Sequence, residues 1–266
     1  MSRKEVDIQQ EIQNADMILI GVGEEFDNLK QLKTLPGYSE GRQALEESDM
    51  AWMIPAWNRM FAEECGDNRV TKALSKLAEM VSEKNYFVVS TSTNDEIEKV
   101  SWKENHLVMP CGGSLRKQCV SVCGQEIAEV SKQDRKTMKK LRHEIMEKGQ
   151  AALTEHTVLG TCPDCGKEYI LNNVYSERYD ENGYLKQWQV YMKWLQGTVN
   201  RKLLILELGV GMQCPSVIRW PFEKVAFYNQ KAVFCRVNEK LYQFSEELDA
   251  KGISISKNAI DWLEYL

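Results

Sequence analysis

Four cysteines are spaced for metal. Cys119 and Cys123 bracket Val120-Ser121-Val122, and after 38 intervening residues Cys162 and Cys165 bracket Pro163-Asp164, with Gly166 next. Two short cysteine hairpins can bring four thiolates to the corners of a tetrahedron, and the proline, aspartate and glycine suit the tight turn that each hairpin needs. Zinc accepts an all-sulfur shell, and a closed shell leaves no coordinated water to activate, so the expected zinc site is structural. It would staple a segment too small to build a core of its own. Four unligated thiols are the plainer alternative.

The other four cysteines, Cys65, Cys111, Cys214 and Cys235, stand alone, and the chain has three histidines, His106, His143 and His156. Cys111 lies beside Gly112 and Gly113 at the end of an apolar run. A free cysteine there reads either as a small buried hydrophobe or as a thiolate nucleophile, with Asn94 or His106 beside it. His106 also reads as a strand-edge residue.

Two glycine turns bear on ligand binding. Met17-Ile18-Leu19-Ile20 runs straight into Gly21-Val22-Gly23, and Leu203-Leu204-Ile205-Leu206 leads to Gly209-Val210-Gly211. An apolar run ending in glycines is how a buried parallel strand enters a phosphate-binding turn. After the first turn, however, comes Glu24-Glu25-Phe26-Asp27, which sets acids where a phosphate would meet amide donors.

The elements that must position these residues alternate. Apolar runs at Tyr86-Phe87-Val88-Val89, Leu107-Val108-Met109 and 232–237 add three further strands. Helical patterns at 5–15, 69–83, 182–196, 239–250 and 256–265 separate or flank them. That rhythm predicts an α/β fold with a parallel sheet covered on both faces. The two glycine turns then share the carboxyl edge, where open α/β sheets bind ligands. Trp188, Tyr191 and Trp194 sit at helical spacing and are expected in the core.

Two segments break the rhythm. Residues 36–68 carry Pro36-Gly37 and a cluster of Met50, Trp52, Met53, Trp57, Met60 and Phe61, and read as a helical insert. Residues 117–180 carry the paired cysteines and a basic helix-favouring stretch, 131–149, whose charges from Lys132 to Lys140 read as a solvated face. The expected division is a Rossmann-like nucleotide-binding domain from 1–35, 69–116 and 181–266, a helical insert at 36–68, and a zinc-binding module at 117–180.

Composition narrows the classes. A net charge of −5 supplies no basic field for nucleic acid. No run of about 18 apolar residues exists to span a membrane, and the charged start at 1–7 does not read as a signal peptide. A cytoplasmic location is the resulting expectation.

The segment from Leu206 to Pro215, continuing through Val217-Ile218-Arg219-Trp220-Pro221-Phe222, resembles the late Rossmann segment of sirtuins. Together with the cysteine spacing, the 84–91 stretch and Gln118-Cys119, it is most similar to the macrodomain-linked bacterial sirtuins of the protein ADP-ribosylating class. The resemblance implies a Rossmann domain carrying a zinc module and a helical module. It also implies NAD or ADP-ribose as ligand, a protein substrate, and contacts from Gly21, Gly23, Ser92, Gly209, Gly211 and Asn238, the last at the adenosine ribose, while Gly209 and Gly211 read equally as strand–helix packing positions. Gln213 and Arg219 would line the crevice wall, and Arg219 reads either as a phosphate partner or as a surface salt bridge.

The departures from the family matter equally. Val22, Glu24 and Glu25 replace its small residues and serine. For its Thr-x-Asn-x-Asp motif, an ungapped match puts Ser92 at the asparagine and Asn94 at the aspartate, whereas a two-residue shift puts Asn94 at the asparagine and Glu96 at the aspartate. Cys111 stands where the family has its catalytic histidine, or a glutamine. That histidine is a general base, and a thiol with a pKa of about 8.5 is a poor replacement. Three readings follow. The first is a binder of NAD or ADP-ribose with lost or altered catalysis. The second is an active NAD-dependent ADP-ribosyltransferase or deacylase, and the third a non-catalytic adaptor with an empty crevice.

Overall fold

The computed structural model describes residues 7–153, 158–248 and 250–266; His156 and the charged start up to residue 6 lie outside them. Helix α1 (Ile8–Asn14) is capped by the Asp7 carboxylate, which accepts from the amides of Gln9 and Gln10. It leads into strand β1 (Met17–Val22), buried at every position. The chain then makes a short 3-10 turn (Glu24–Asp27) and three helices, α2 (Leu29–Leu32), α3 (Tyr38–Glu46) and α4 (Ile54–Cys65). Helix α5 (Arg69–Val81) returns it to the sheet at β2 (Asn85–Ser90), followed by a 3-10 turn (Asp95–Lys99) and β3 (Leu107–Val108).

A second excursion builds β4 (Gly112–Cys119), β5 (Ala128–Glu129), α6 (Lys132–Lys148) and β6 (Tyr169–Asn173). Helix α7 (Leu185–Gln196) leads back to β7 (Leu203–Leu208), α8 (Arg219–Tyr228), β8 (Val233–Val237), β9 (Gly252–Ile255) and α9 (Ala259–Tyr265).

The main sheet has six strands in the order β3-β2-β1-β7-β8-β9, and every pairing is parallel. The order reverses direction between β1 and β7, so the carboxyl ends of those strands flank the switch point where α/β sheets open a crevice. The smaller sheet, β5-β4-β6, is antiparallel. Among the described residues no helix is long and apolar enough to cross a membrane.

Each face of the main sheet has its own core. Ile18, Ile20 and Val22 pack with α1, α5 and α9, while Met17, Leu19, Phe87 and Tyr191 pack with α7 and α8, where Trp188 and Trp194 are partly buried. A third core joins the two excursions. Tyr38, Trp57, Met60 and Phe61 from the first pack with Met138, Leu141, Ile145, Ile170 and Leu171 from the second. Along α6 the basic residues Lys132, Arg135, Lys136, Lys139 and Lys140 are exposed while Asp134 and Met138 are buried, as a solvated amphipathic helix requires.

Several elements differ from the periodicity reading. Residues 239–248 form no α-helix, and hold only a 3-10 turn at Glu246–Leu248. Their backbone is engaged by side chains. Asn238 Oδ1 accepts from the amides of Lys240 and Leu241, and the carbonyls of Leu241 and Gln243 accept from Arg219 and Arg236. The expected helix at 256–265 starts only at Ala259, capped by Asn258, and β9 precedes it. Helix α8 and strands β4 and β6 are further additions, with Pro221 tolerated in the first turn of α8, where amides lack helical partners.

Candidate functional site: the crevice and the cysteine cluster

The four paired cysteines meet. The Sγ atoms of Cys119, Cys123, Cys162 and Cys165 all lie within 4.8 Å of one another. Cys119 and Cys165 are 3.4 Å apart, and Cys123 and Cys162 3.6 Å. Zinc–sulfur bonds of about 2.3 Å place tetrahedral sulfurs about 3.8 Å apart, so the cluster fits zinc closely. Cys119 ends β4 and Cys162 belongs to the loop that enters β6. The Cys162 amide donates to the Lys167 carbonyl at 2.6 Å and the Gly166 amide to the Cys162 carbonyl at 2.9 Å, closing the turn around the second pair. A zinc ion held by these four sulfurs would keep no open position, so such a site would be structural.

The two glycine turns touch through their backbones. The Gly23 amide donates to the Leu208 carbonyl at 2.8 Å, and the Glu25 amide to the Gly209 carbonyl at 3.1 Å. A Cβ on Gly23 would lie 2.2 Å from Val210 Cα, so only glycine permits this approach. A Cβ on Gly21 would collide with Ile218 and Phe222, so Gly21 lets α8 settle on β1. Gly209 has φ +63°, a left-handed conformation that suits glycine.

Amide donors gather around these turns, and the acids after Gly23 take them. Glu24 Oε2 accepts from the Gly211 amide at 2.5 Å. The two oxygens of Glu25 accept from the amides of Glu239 at 2.9 Å and Ala259 at 2.7 Å. Burial pushes the Glu25 carboxyl above its ordinary value, and the two amide bonds oppose that shift. A second Glu24 oxygen is sealed without a partner. The two carboxylates therefore occupy the amide donors gathered around these turns.

The residues expected to contact a ligand are engaged within the fold. Asn238 is 4% exposed; its Nδ2 donates to the Val210 carbonyl at 3.1 Å while its Oδ1 holds the 240–241 amides. Arg219 is neither a surface residue nor free for phosphate. It donates to Glu207 at 3.2 Å and to the carbonyls of Val210 and Leu241 at 2.9 and 2.6 Å. Ser92 Oγ donates to Asp27 at 2.7 Å, and Asn94 Nδ2 to the Phe26 carbonyl at 2.8 Å, so this stretch anchors the turn that carries Glu24 and Glu25. Gln213 is exposed, with Nε2 3.2 Å from the Tyr175 hydroxyl.

Cys111 is buried at the entry to β4. The influence of the Cys214 thiol, with burial and the charges of Glu24 and Asp27 behind it, pushes the Cys111 thiol far above its ordinary value. His106 lies at the opposite end of β3, stacked near Phe87 with ring centroids 5.8 Å apart, and its Nδ1 meets the Glu104 carbonyl at 2.7 Å.

The sequence reading named Asp27 only among the acids after the first turn and did not name Asp95, and both carboxyls are buried. Asp27 sits under the first turn, where burial pushes its pKa up to about 6 against the opposing bonds from Ser92 and Thr93. Asp95 accepts from the Ser114 amide at 2.9 Å and lies 3.6 Å from Arg59, and burial likewise raises its pKa. Neither stands in an apolar run, so nothing in the local pattern marks it as buried. Glu207 and Arg236 did carry a signal, each being the single charge in a strand of otherwise uncharged residues.

No family model matches the chain. A curated relative, a protein ADP-ribosyltransferase of Staphylococcus aureus (strain Mu50 / ATCC 700699), is 21% identical over 194 residues, 72% of this chain. The match takes in 59% of the relative, so the chain spans well under two thirds of that protein's length. Among solved structures, Sir2Tm bound to a propionylated peptide matches 100% of this chain and 97% of its own, with TM-score 0.54 and 12% identity. A Sir2 homolog–NAD complex matches over 99% and 93%, at TM-score 0.55 and 13% identity. A mutant Sir2 homologue in complex with ADP-ribose matches over 98% and 94%, at TM-score 0.57 and 12% identity. The parallel six-stranded sheet, the helical excursion after β1 and the four-cysteine module after β3 together give this chain the sirtuin fold.

Proposed function

We propose that the protein binds NAD or ADP-ribose at the switch point between β1 and β7, and that binding rather than sirtuin turnover is its output. The observation that carries this reading is the corner where the Gly23 and Gly209 turns touch and the amides of Gly211, Glu239 and Ala259 converge on carboxylates. Backbone donors collected around a glycine turn attract anionic groups. A diphosphate would enter by displacing Glu24 and Glu25, whose charge otherwise repels it. Fold-level likeness to proteins solved with NAD and ADP-ribose is consistent with such a ligand.

Altered catalysis is part of the proposal. A general base must exchange a proton near the working pH. Cys111 is sealed and its thiol is pushed up, so it stays protonated where an imidazole would act. Asn94, the other candidate at the reacting centre, is committed to the Phe26 carbonyl and to capping the Asp95–Lys99 turn.

A second reading is favoured by the same two glutamates: an adaptor whose crevice stays closed by its own carboxylates. Calorimetry with NAD and ADP-ribose separates the two, using the wild type and a Glu24→Gln/Glu25→Gln double variant. Our reading expects ADP-ribose binding in the wild type and at least tenfold tighter binding in the variant. Absence of heat for both nucleotides in both proteins would leave the adaptor. Nicotinamide release from NAD by the wild type, lost in Cys111→Ala, would instead support an active transferase acting on a protein substrate.

A further inference from the structure

Helix α7 is apolar on both sides. Trp188, Tyr191, Trp194 and Leu195 pack on the sheet core, while Leu185, Val190 and Met192 stand exposed on its outer side. Val199, just past its end, is 68% exposed. A helix at the surface of a globular protein keeps its outer side polar, and one that is apolar all round is a helix that something covers. Lys186 and Lys193 share that outer side, and the helix has no acid.

Helix α8 packs on the same face of the main sheet and shows the same excess. Trp220, Phe227 and Tyr228 are exposed, Trp220 at 56% and Tyr228 at 71%. The ends of the two helices are tied together, because Asn229 Nδ2 donates to the carbonyls of Thr198 and Arg201 at 3.1 and 3.2 Å. Val199 and Tyr228 adjoin that tie. Of the twelve large hydrophobic side chains that stand exposed among the described residues, seven belong to this face, whereas α1, α5 and α9 on the opposite face add only Tyr265. Single exposed hydrophobics need no explanation, but a gathered patch marks an interaction surface.

The patch contains a ridge and a groove of opposite charge. The ridge is α7 with its two lysines. The groove, of about 530 Å³, runs between α8 and the turn at Glu246–Leu248, and Trp220, Phe227, Tyr228 and Glu247 line it. Lys224 and Glu223 complete the α8 wall, and Glu223 is held by Arg236. Glu246 and Glu247 are exposed, and among the described residues no ion pair engages them or Lys186 and Lys193.

We propose that two copies of this chain pair through this face, with α7 of each copy seated in the α8 groove of the other. A cover for α7 must be an apolar hollow that carries acids, and an occupant of the groove must be an apolar ridge that carries cations. Each half of the face meets the requirement of the other, which is the self-complementarity that a two-fold dimer needs. The lysines of one copy then meet Glu246 and Glu247 of the other. The three rings of α8, at about 200 Å² each and roughly half exposed, offer about 300 Å² per copy, a large share of the about 800 Å² that each side of a stable interface buries. Tryptophan and tyrosine are also the side chains that contribute most at such interfaces.

Sedimentation velocity on the zinc-loaded full chain, from about 1 to about 100 µM, tests the pairing. The expected result is a rise with concentration from the 30.7 kDa monomer to twice that mass. Met192→Glu on the ridge and Trp220→Glu in the groove should each weaken self-association about tenfold or more. Both should keep the wild-type circular dichroism spectrum, since each side chain is exposed in the single chain. The pair Lys186→Glu/Lys193→Glu should weaken the dimer, as should Glu246→Lys/Glu247→Lys, and combining all four should restore it. A wild type that stays monomeric at about 100 µM would overturn the proposal and leave the face to a different protein. A dimer that survives both Met192→Glu and Trp220→Glu would put the contact elsewhere and overturn it equally. Failure of the fourfold variant to recover would overturn the seating of α7 in the groove.

Discussion

Glu207 on β7 and Arg236 on β8 are register partners, and both are sealed from solvent at 0% and 1% exposure. Arg236 Nε and Nη2 reach the two Glu207 oxygens at 2.7 and 3.1 Å, a two-bonded fork. Arg219 adds a third contact to Glu207, and Glu223 meets Arg236 at 2.7 Å from the half-buried side. Burial pushes the Glu207 carboxyl up, and the two guanidiniums hold it down. The network also reaches the carbonyls of Val210, Leu241 and Gln243, so it fixes both loops beside the second glycine turn.

Removing one member of such a network leaves the others charged and unpaired. Glu207→Ala should destabilise the protein by about 3–5 kcal/mol, the usual range for an orphaned buried ion pair. Urea unfolding followed by tryptophan fluorescence measures it. A change below about 1 kcal/mol, within the range of an exposed pair, would show that water reaches the site.

Asp27 makes stability depend on pH in an uncommon direction. Its pKa rises from 3.8 to about 6 on folding, so the native state holds a proton that the unfolded chain has released. Its favourable contribution is fully present below about pH 4 and is lost as pH climbs through 6. Two pKa units correspond to about 3 kcal/mol. Asp27→Asn can keep the acceptor for Ser92 and Thr93 but cannot ionise. The variant should therefore gain stability relative to wild type between pH 4 and 7, measured by chemical unfolding across that range. A constant difference over the range would mean that Asp27 stays ionised in the folded protein.

The sheet was legible because buried parallel strands leave continuous apolar runs, and β1, β2 and β7 are such runs. The cysteine cluster was legible because its spacing already contains the turn geometry. Strand β4 was not legible, since Gly112-Gly113-Ser114-Leu115-Arg116-Lys117 has little apolar content and its longer pairing is with β6, far along the chain. The stretch after Asn238 misled because its helical pattern is overridden by side-chain bonds to its backbone, which no local signal encodes.

Zinc removal should reach beyond the cysteine hairpins. Cys119 and Cys162 belong to the same core as Tyr38, Trp57 and Phe61, so loosening the cluster loosens the helical excursion as well. Hydrogen exchange after chelation should show lost protection in α3, α4, β4 and β6, with β1, β2, β7 and β8 still protected. A metal that closes a loop-rich module contributes folding free energy directly. Unchanged exchange after verified metal loss would mean that the shared apolar core alone holds the module.

The contact between the two glycine turns gives the sharpest steric test. Gly23 has φ −105°, which any residue adopts, so alanine there meets no backbone strain of its own. Its Cβ would nevertheless lie 2.2 Å from Val210 Cα and 2.3 Å from the Gly209 carbonyl oxygen, both backbone atoms that cannot rotate away. Gly23→Ala should therefore cost about 3 kcal/mol, at the upper end for overpacking, because the β1 and β7 turns must separate. Gly66→Ala is the matched comparison: its φ of +64° is unfavourable for alanine, yet nothing lies within 4 Å of the added carbon. It should lose only about 1 kcal/mol, from backbone strain alone. Thermal or urea unfolding of the two variants side by side decides the point. Equal losses would mean that the turns part easily, and a crevice wall that yields in this way could not hold a ligand in a fixed position.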